Sequence, residues 1–258
     1  MIKAARGLAF AVLLGALGAT VTAVPAQAQD SSPQSRFDPA DTAAIEAIVR
    51  DYLLANPEVL IEAIQVFDAR QKLAAQEQQR LAVAARQNDL AADPDSPVLG
   101  NPEGDVLIVE FFDYRCPYCK RVADDLRETV REDGNIRLVM KEFPILGPES
   151  VYAARAALAA HKQGKYEDFH FALMEDKGQL SEESVLAVAD SVGLDVKQLR
   201  RDMLGGDVDT ALRKTFDLAE ALDIGGTPAF VIGDEIYPGA LSIEALREAV
   251  AQVRAESS

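Results

Sequence analysis

What most limits how this chain can fold is a pair of cysteines set where an apolar run gives way to a helix-forming one. Residues 106–112 are apolar except for Glu110, the pattern of a strand buried on both faces. Cys116-Pro117-Tyr118-Cys119 follows, and helix-forming sequence continues to about Glu132. Pro117 pre-sets the backbone angle of a first helical turn. Cys116 therefore belongs at the mouth of a helix, where free amides and the helix dipole favour an anion. A thiolate is that anion, so its pKa is expected below the free value of about 8.5. Cys119 falls one turn further in, shielded by the sheet. That makes Cys116 the expected exposed attacker and Cys119 the resolving thiol.

These are the only two cysteines in 258 residues. A chain of that length builds its core without staples, and the small loop this pair would close removes little unfolded-state entropy. The pair reads as chemistry, either redox cycling or metal binding. A structural zinc site needs four ligands. The two histidines, His161 and His170, have no finger-like spacing and read as surface or partly buried helix residues. Soft thiolates select Cu(I), so a copper carrier using Cys116 and Cys119 is the alternative. Thiol-disulfide exchange itself requires no organic or metal cofactor.

Two further pieces join the pair. Glu110 is a carboxylate inside a buried strand, a costly place for a charge. It either lies below the cysteines and takes the proton of Cys119 through water, or reaches solvent or a lysine such as Lys141. Late in the chain, Gly225-Gly226-Thr227-Pro228 precedes a short apolar run starting at Ala229. Pro is tolerated at the first residue of a strand. A cis bond before Pro228 would present the Thr227 backbone beside the cysteines, where an extended substrate adds by main-chain hydrogen bonds. Pro117 and Tyr118 complete the expected substrate-contacting set.

The N-terminus reads as an export signal. Lys3 and Arg6 precede the uncharged, apolar residues 8–24, and Ala26-Gln27-Ala28 is a cleavage motif, predicting cleavage after Ala28. Outside the cytosol a disulfide persists, which suits the redox reading. The net charge of −16 speaks against nucleic acid, which wants clustered Lys and Arg.

Residues 29–92 read as a polar tether and a helical arm. Asp38 caps a first helix, with Ile45, Ile48, Val49 and Tyr52 at helical spacing. Asn56 is expected to cap a second, long helix from Pro57 to about Ala92. Leu60, Ile64 and Phe67 follow a 4,3 spacing, the seam of a self-associating helix or of one that lies on its own domain. Asp93-Pro94-Asp95-Ser96-Pro97 marks a boundary. Beyond it, residues 93–258 read as an α/β unit. Val98-Leu99 is a short strand and residues 136–143 an alternating one. A helical stretch of about 148–223 is broken near Gly164, Gly178, Gly193 and Gly205-Gly206. Two short strands surround Gly233-Asp234, and Ser242 caps a last helix.

The strand-CPYC-helix unit, the helical insertion and Gly225-Gly226-Thr227-Pro228-Ala229-Phe230 resemble the DsbA family of the thioredoxin superfamily, over residues 97–254. The resemblance implies a thioredoxin fold with a helical insertion, preceded here by an all-α arm. It puts Glu110 where the family carries its buried acid and Thr227-Pro228 where it carries its cis-proline loop. Arm and domain together resemble the ScsC type linked to bacterial copper tolerance, which implies a periplasmic homo-oligomer, a trimer, that shuffles wrong disulfides. The implied partners are unfolded or misoxidised exported proteins and a membrane redox partner. Pro117-Tyr118 replaces the family's Pro-His, and Thr227 replaces Val. Both departures point away from a purely oxidising role, and Thr before the proline is the choice more typical of the family's isomerases.

Overall fold

The computed structural model describes residues 38–256, so the expected leader and tether lie outside the described residues. The chain divides into two compact units, one ending at Ala63 and the other beginning at Ile64.

In the first unit, α1 (Pro39–Ala55) opens at Asp38, whose Oδ1 accepts the amides of Ala40 and Asp41 at 2.8 Å each. Asn56 does not cap the following helix. Its side-chain Nδ2 donates to the Tyr52 carbonyl at 2.9 Å and its backbone N–H to the same oxygen at 2.8 Å. The last-turn carbonyls of α1 lack partners, and the carboxamide reaches back to one of them. Ile45, Ile48, Val49 and Tyr52 are all exposed.

The next helix, α2 (Glu58–Ala85), stops short of the expected end. Arg86 leaves helical geometry at φ −113°, ψ 14°, and a short α3 (Gln87–Ala91) follows. Val83 and Leu90 are both fully buried. Packing these two against the sheet outweighs the helix propensity that would continue a straight rod.

The second unit is built on a five-stranded sheet of order β1-β3-β2-β4-β5. The strands are β1 (Val98–Gly100), β2 (Val106–Phe112), β3 (Ile136–Glu142), β4 (Ala229–Ile232) and β5 (Glu235–Pro238). β2 and β3 run parallel, and every other pairing is antiparallel. The crossover between β2 and β3 is α4 (Pro117–Asp133), which Gly134 ends in the left-handed region at φ 71°. Five helices form the insertion: α5 (Pro148–Lys162), α6 (Tyr166–Glu175), α7 (Glu182–Ser191), α8 (Val196–Asp202) and α9 (Gly206–Ala221). The last helix is α10 (Ile243–Glu256), with Ser242 Oγ accepting the Ala245 amide at 3.2 Å. Among the described residues no helix is long and apolar enough to cross a membrane.

Side-chain alternation along β2 splits the core between two faces. Ile108 and Phe112 pack with Val122, Leu126, Leu246 and the insertion. Val109 and Phe111 pack with Val83, Leu90 and Leu218. β3 does not alternate between buried and open positions as its sequence suggested, since all its residues but Arg137 are buried. It lies inside a sheet covered on both sides, so both of its faces meet apolar neighbours.

Candidate active site

β2 hands the chain to α4 through Asp113, Tyr114 and Arg115. Buried Asp113 organises this turn. Its Oδ1 accepts the Arg115 amide and the Ser150 hydroxyl, each at 2.7 Å, and its Oδ2 accepts the Leu146 amide at 2.9 Å. Its carbonyl accepts the Cys116 amide at 3.0 Å. The approach to the cysteines is thereby tied to the start of α5. Cys116 is the N-cap of α4, with extended backbone, and Pro117 is the first helical residue.

The second wall comes from the far end of the chain. The Thr227-Pro228 peptide bond is cis. The Thr227 carbonyl accepts the Cys116 thiol at 3.2 Å. Cys116 Sγ in turn accepts the Cys119 amide at 3.5 Å. Both cysteines are free thiols.

These contacts split the two acidities. The hydrogen bond from the Cys119 thiol does most to lower the Cys116 pKa, to about 5. Burial opposes it, and the Thr227 side chain and the Cys119 and Tyr118 amides assist. The Cys119 thiol is pushed far above its ordinary range, first by the bond to Cys116, then by burial and the Glu110 charge. Cys116 is less open than the sequence suggested, with only 3% of the residue exposed. The cis-proline loop and the helix mouth cover it, while its neighbours Arg115, Pro117 and Tyr118 stay exposed. The Arg121 guanidinium lies over the Tyr118 ring, 5.0 Å from its centroid.

Glu110 lies fully buried, in register with Met140 on β3 and Phe230 on β4. Burial, followed by the charge of Cys116, raises its pKa to about 8. Lys141 is not its partner. As the residue after Met140 it points to the opposite face of the sheet, where it binds Asp93, Ser96 Oγ and the Asp89 carbonyl.

A further buried carboxylate, Glu142, escaped the sequence reading. Tyr114 Oη donates to its Oε1 at 3.0 Å and Tyr166 Oη at 2.8 Å. Tyr114 Oη also lies 3.0 Å from His170 Nδ1. His170 is therefore no surface or half-buried residue. It is sealed between Phe112, Tyr166 and Phe171, and burial drives its pKa down to about 3, so the ring is neutral. A Glu at the end of a run reading Ile-Arg-Leu-Val-Met-Lys-Glu carried the same signal as Glu110. Asp113 and Ser150 gave no comparable sign.

A groove of about 660 Å³ adjoins the pair, lined by Tyr118, Arg121, Thr227, Pro228 and Ile236, and by Gln79 from α2. Among the described residues no three His, Cys, Asp or Glu side chains gather as a metal-ligand set.

Comparison with known proteins places this geometry in context. A family model described as a DSBA-like thioredoxin domain matches residues 107–251. A second, the copper resistance protein ScsC N-terminal domain, matches residues 41–74. A thioredoxin-like oxidoreductase from Silicibacter pomeroyi DSS-3 is 50% identical with a TM-score of 0.64, the match covering 65% of this chain and 97% of that one. Proteus mirabilis ScsC in a transitional conformation is 32% identical with a TM-score of 0.65, covering 85% of this chain and 100% of that one. The Na(+)/H(+) antiporter NhaA 1 of Salinispora arenicola is 32% identical over 161 residues, 61% of this chain. The chain spans only 25% of the length of that curated relative.

Proposed function

The chain belongs to the DSBA-like thioredoxin family, and from that premise we propose that it is an exported thiol-disulfide oxidoreductase that leans toward isomerisation. The observation that carries the reading is the Cys116 sulfur at the mouth of α4, acidified to about 5 and facing the Thr227 carbonyl at 3.2 Å.

In oxidation a substrate thiolate attacks Cys116 Sγ of the disulfide form. The Cys116–Cys119 bond breaks, a mixed disulfide forms, and Cys119 leaves with the electron pair and takes up a proton, with Glu110 as the nearby acid. A second substrate thiolate attacks the substrate sulfur, releasing Cys116 as thiolate and the oxidised product. Two electrons pass from substrate to enzyme. In isomerisation the Cys116 thiolate attacks a wrong disulfide and a substrate thiol later displaces it, with no net electron transfer. Thr227 before the cis-proline and the ScsC-type arm support that direction. Thr227, Pro228, Pro117 and Tyr118 contact the substrate backbone in this reading.

Cys116→Ser is expected to abolish exchange with a peptide disulfide, and Cys119→Ser to accumulate mixed disulfides. Full activity in Cys116→Ser would overturn the reading. Refolding of a scrambled disulfide substrate, compared with oxidation of a reduced one, separates isomerase from oxidase.

The arm is proposed to self-associate, as a trimer, through exposed residues such as Ile48, Val49 and Phe67. Because Val83 and Leu90 belong to the core of the second unit, substitution tests this better than truncation. Ile48→Asp with Phe67→Asp is expected to give a monomer by light scattering; an unchanged mass would remove the proposal. Export to the periplasm rests on residues 1–28 and is tested by the N-terminal sequence of the secreted protein.

The match to a copper resistance domain favours a second reading, Cu(I) held by Cys116 and Cys119. Stoichiometric Cu(I) binding without disulfide exchange would favour it over the first.

A further inference from the structure

The groove beside the cysteines has a wall that the thioredoxin core does not supply. Gln79 lines it from α2, together with the cis-proline loop and β5. Two devices hold this stretch of α2 in place. Val83, one turn further along, is fully buried in the core cluster against which Ile236 packs, and Ile236 also lines the groove. Arg80 spans the turn between β4 and β5, its Nε 3.4 Å from Asp234 Oδ2 and its Nη2 3.3 Å from Glu235 Oε1. Glu235 is itself oriented by Tyr237 Oη, which donates to its other oxygen at 3.0 Å.

The lining defines what the groove accepts. Ile224, Pro228, Ala229, Ile236 and Pro238 form its apolar part, Arg121 and Asp223 add charged groups, and Gly225 and Gly226 leave room beside the backbone. The groove adjoins the cysteine pair at Tyr118 and Thr227. A carboxamide offers both a donor and an acceptor, the complement of a peptide group in extended backbone.

We propose that Gln79 is a specificity residue for the substrate peptide and Arg80 the positioning residue that holds it, so that α2 closes the groove around an extended, apolar segment flanking the substrate cysteine. This deepens the exchange reading and rests on it. The Arg80 ion pairs are partly exposed, so each is individually weak and sensitive to salt. The wall therefore loosens as ionic strength rises.

The test is steady-state exchange by the full chain with a synthetic peptide disulfide carrying valine and leucine beside its cysteine, set against oxidised glutathione. Gln79→Ala is expected to raise the peptide KM by about three- to tenfold, the worth of one hydrogen bond. Arg80→Glu is expected to raise it by about fivefold or more, with kcat within about twofold of the unaltered protein. Arg80→Lys should retain most of the affinity. Arg80→Glu combined with Asp234→Lys and Glu235→Lys should restore it, which a merely misfolded helix would not do. An unchanged peptide KM in both single variants overturns the inference, as does a loss in Arg80→Glu that the charge swap fails to restore. Glutathione exchange by the unaltered protein separates the two levels. If it is present while the variants bind peptide normally, only this inference fails. If it is absent, the exchange reading fails and takes this inference with it.

Discussion

Lys141 Nζ lies 3.1 Å from Asp93 Oδ2, with 1% of one side chain and 7% of the other exposed. The pair joins a central strand to the segment between α3 and β1, and Ser96 Oγ completes it at 2.7 Å from the ammonium. Removing one partner strands a buried charge, so Asp93→Ala or Lys141→Ala is expected to cost about 3–5 kcal/mol in urea unfolding. The acid side has a definite window. Burial raises the Asp93 pKa, but Lys141, Ser96 and Lys214 together outweigh it and bring it to about 2. Its stabilisation is complete above the ordinary aspartate value and is lost as pH falls from about 4 to about 2. Asp93→Asn should flatten stability over that interval.

Thiolate absorbance of the reduced protein is expected to titrate with a midpoint near pH 5. Because the Cys119 thiol is the largest contributor, Cys119→Ala should shift the midpoint upward. A folded pKa below the unfolded one stabilises the dithiol form. That contribution is absent below pH 5, grows as pH rises, and is complete above about 9. Urea unfolding of the reduced protein across that range checks the sign, and the disulfide should be correspondingly oxidising in a glutathione equilibrium.

Glu110→Gln is expected to slow resolution of the mixed disulfide by Cys119 about tenfold or more at neutral pH, measured by quenched-flow trapping. The same change alters stability in the opposite sense to Asp93. Glu110 is held up to about 8 by burial and then by Cys116, so its penalty grows as pH rises from 4.5 to about 8. The variant should gain stability relative to the unaltered protein above pH 8 and match it below pH 4.

Tyr114→Phe removes a hydroxyl that serves both Glu142 and His170. The expected loss is about 1–3 kcal/mol, because two buried polar groups lose a partner together. Thermal unfolding of this variant beside Tyr166→Phe, which leaves the His170 contact intact, measures the difference.

Much of the fold was legible because its causes are local. The limits of β2, the start of α4 and the breaks near Gly164 and Gly193 follow from apolar runs, caps and glycines within a few residues. The misreadings share the opposite origin. α2 ended early because Val83 and Leu90 found a core. Lys141 turned from Glu110 because the β2–β3 register pairs Glu110 with Met140, which leaves Lys141 on the opposite face of the sheet. His170 sank into a polar cluster assembled from β3, α6 and the turn before α4.

The sequence by itself determined that a cysteine would stand at a helix mouth with a second one turn behind, since proline, capping and the strand-to-helix change act along the chain. Only the tertiary structure decided what surrounds that sulfur. Thr227 reaches Cys116 from 111 residues away. Asp113 takes Ser150 from another element, and Gln79 arrives on a helix whose sequence advertised length and an apolar seam but no part in the site. Hydrogen bonds and ion pairs between distant segments depend on how sheet and helices pack, and no periodicity in either segment encodes its partner.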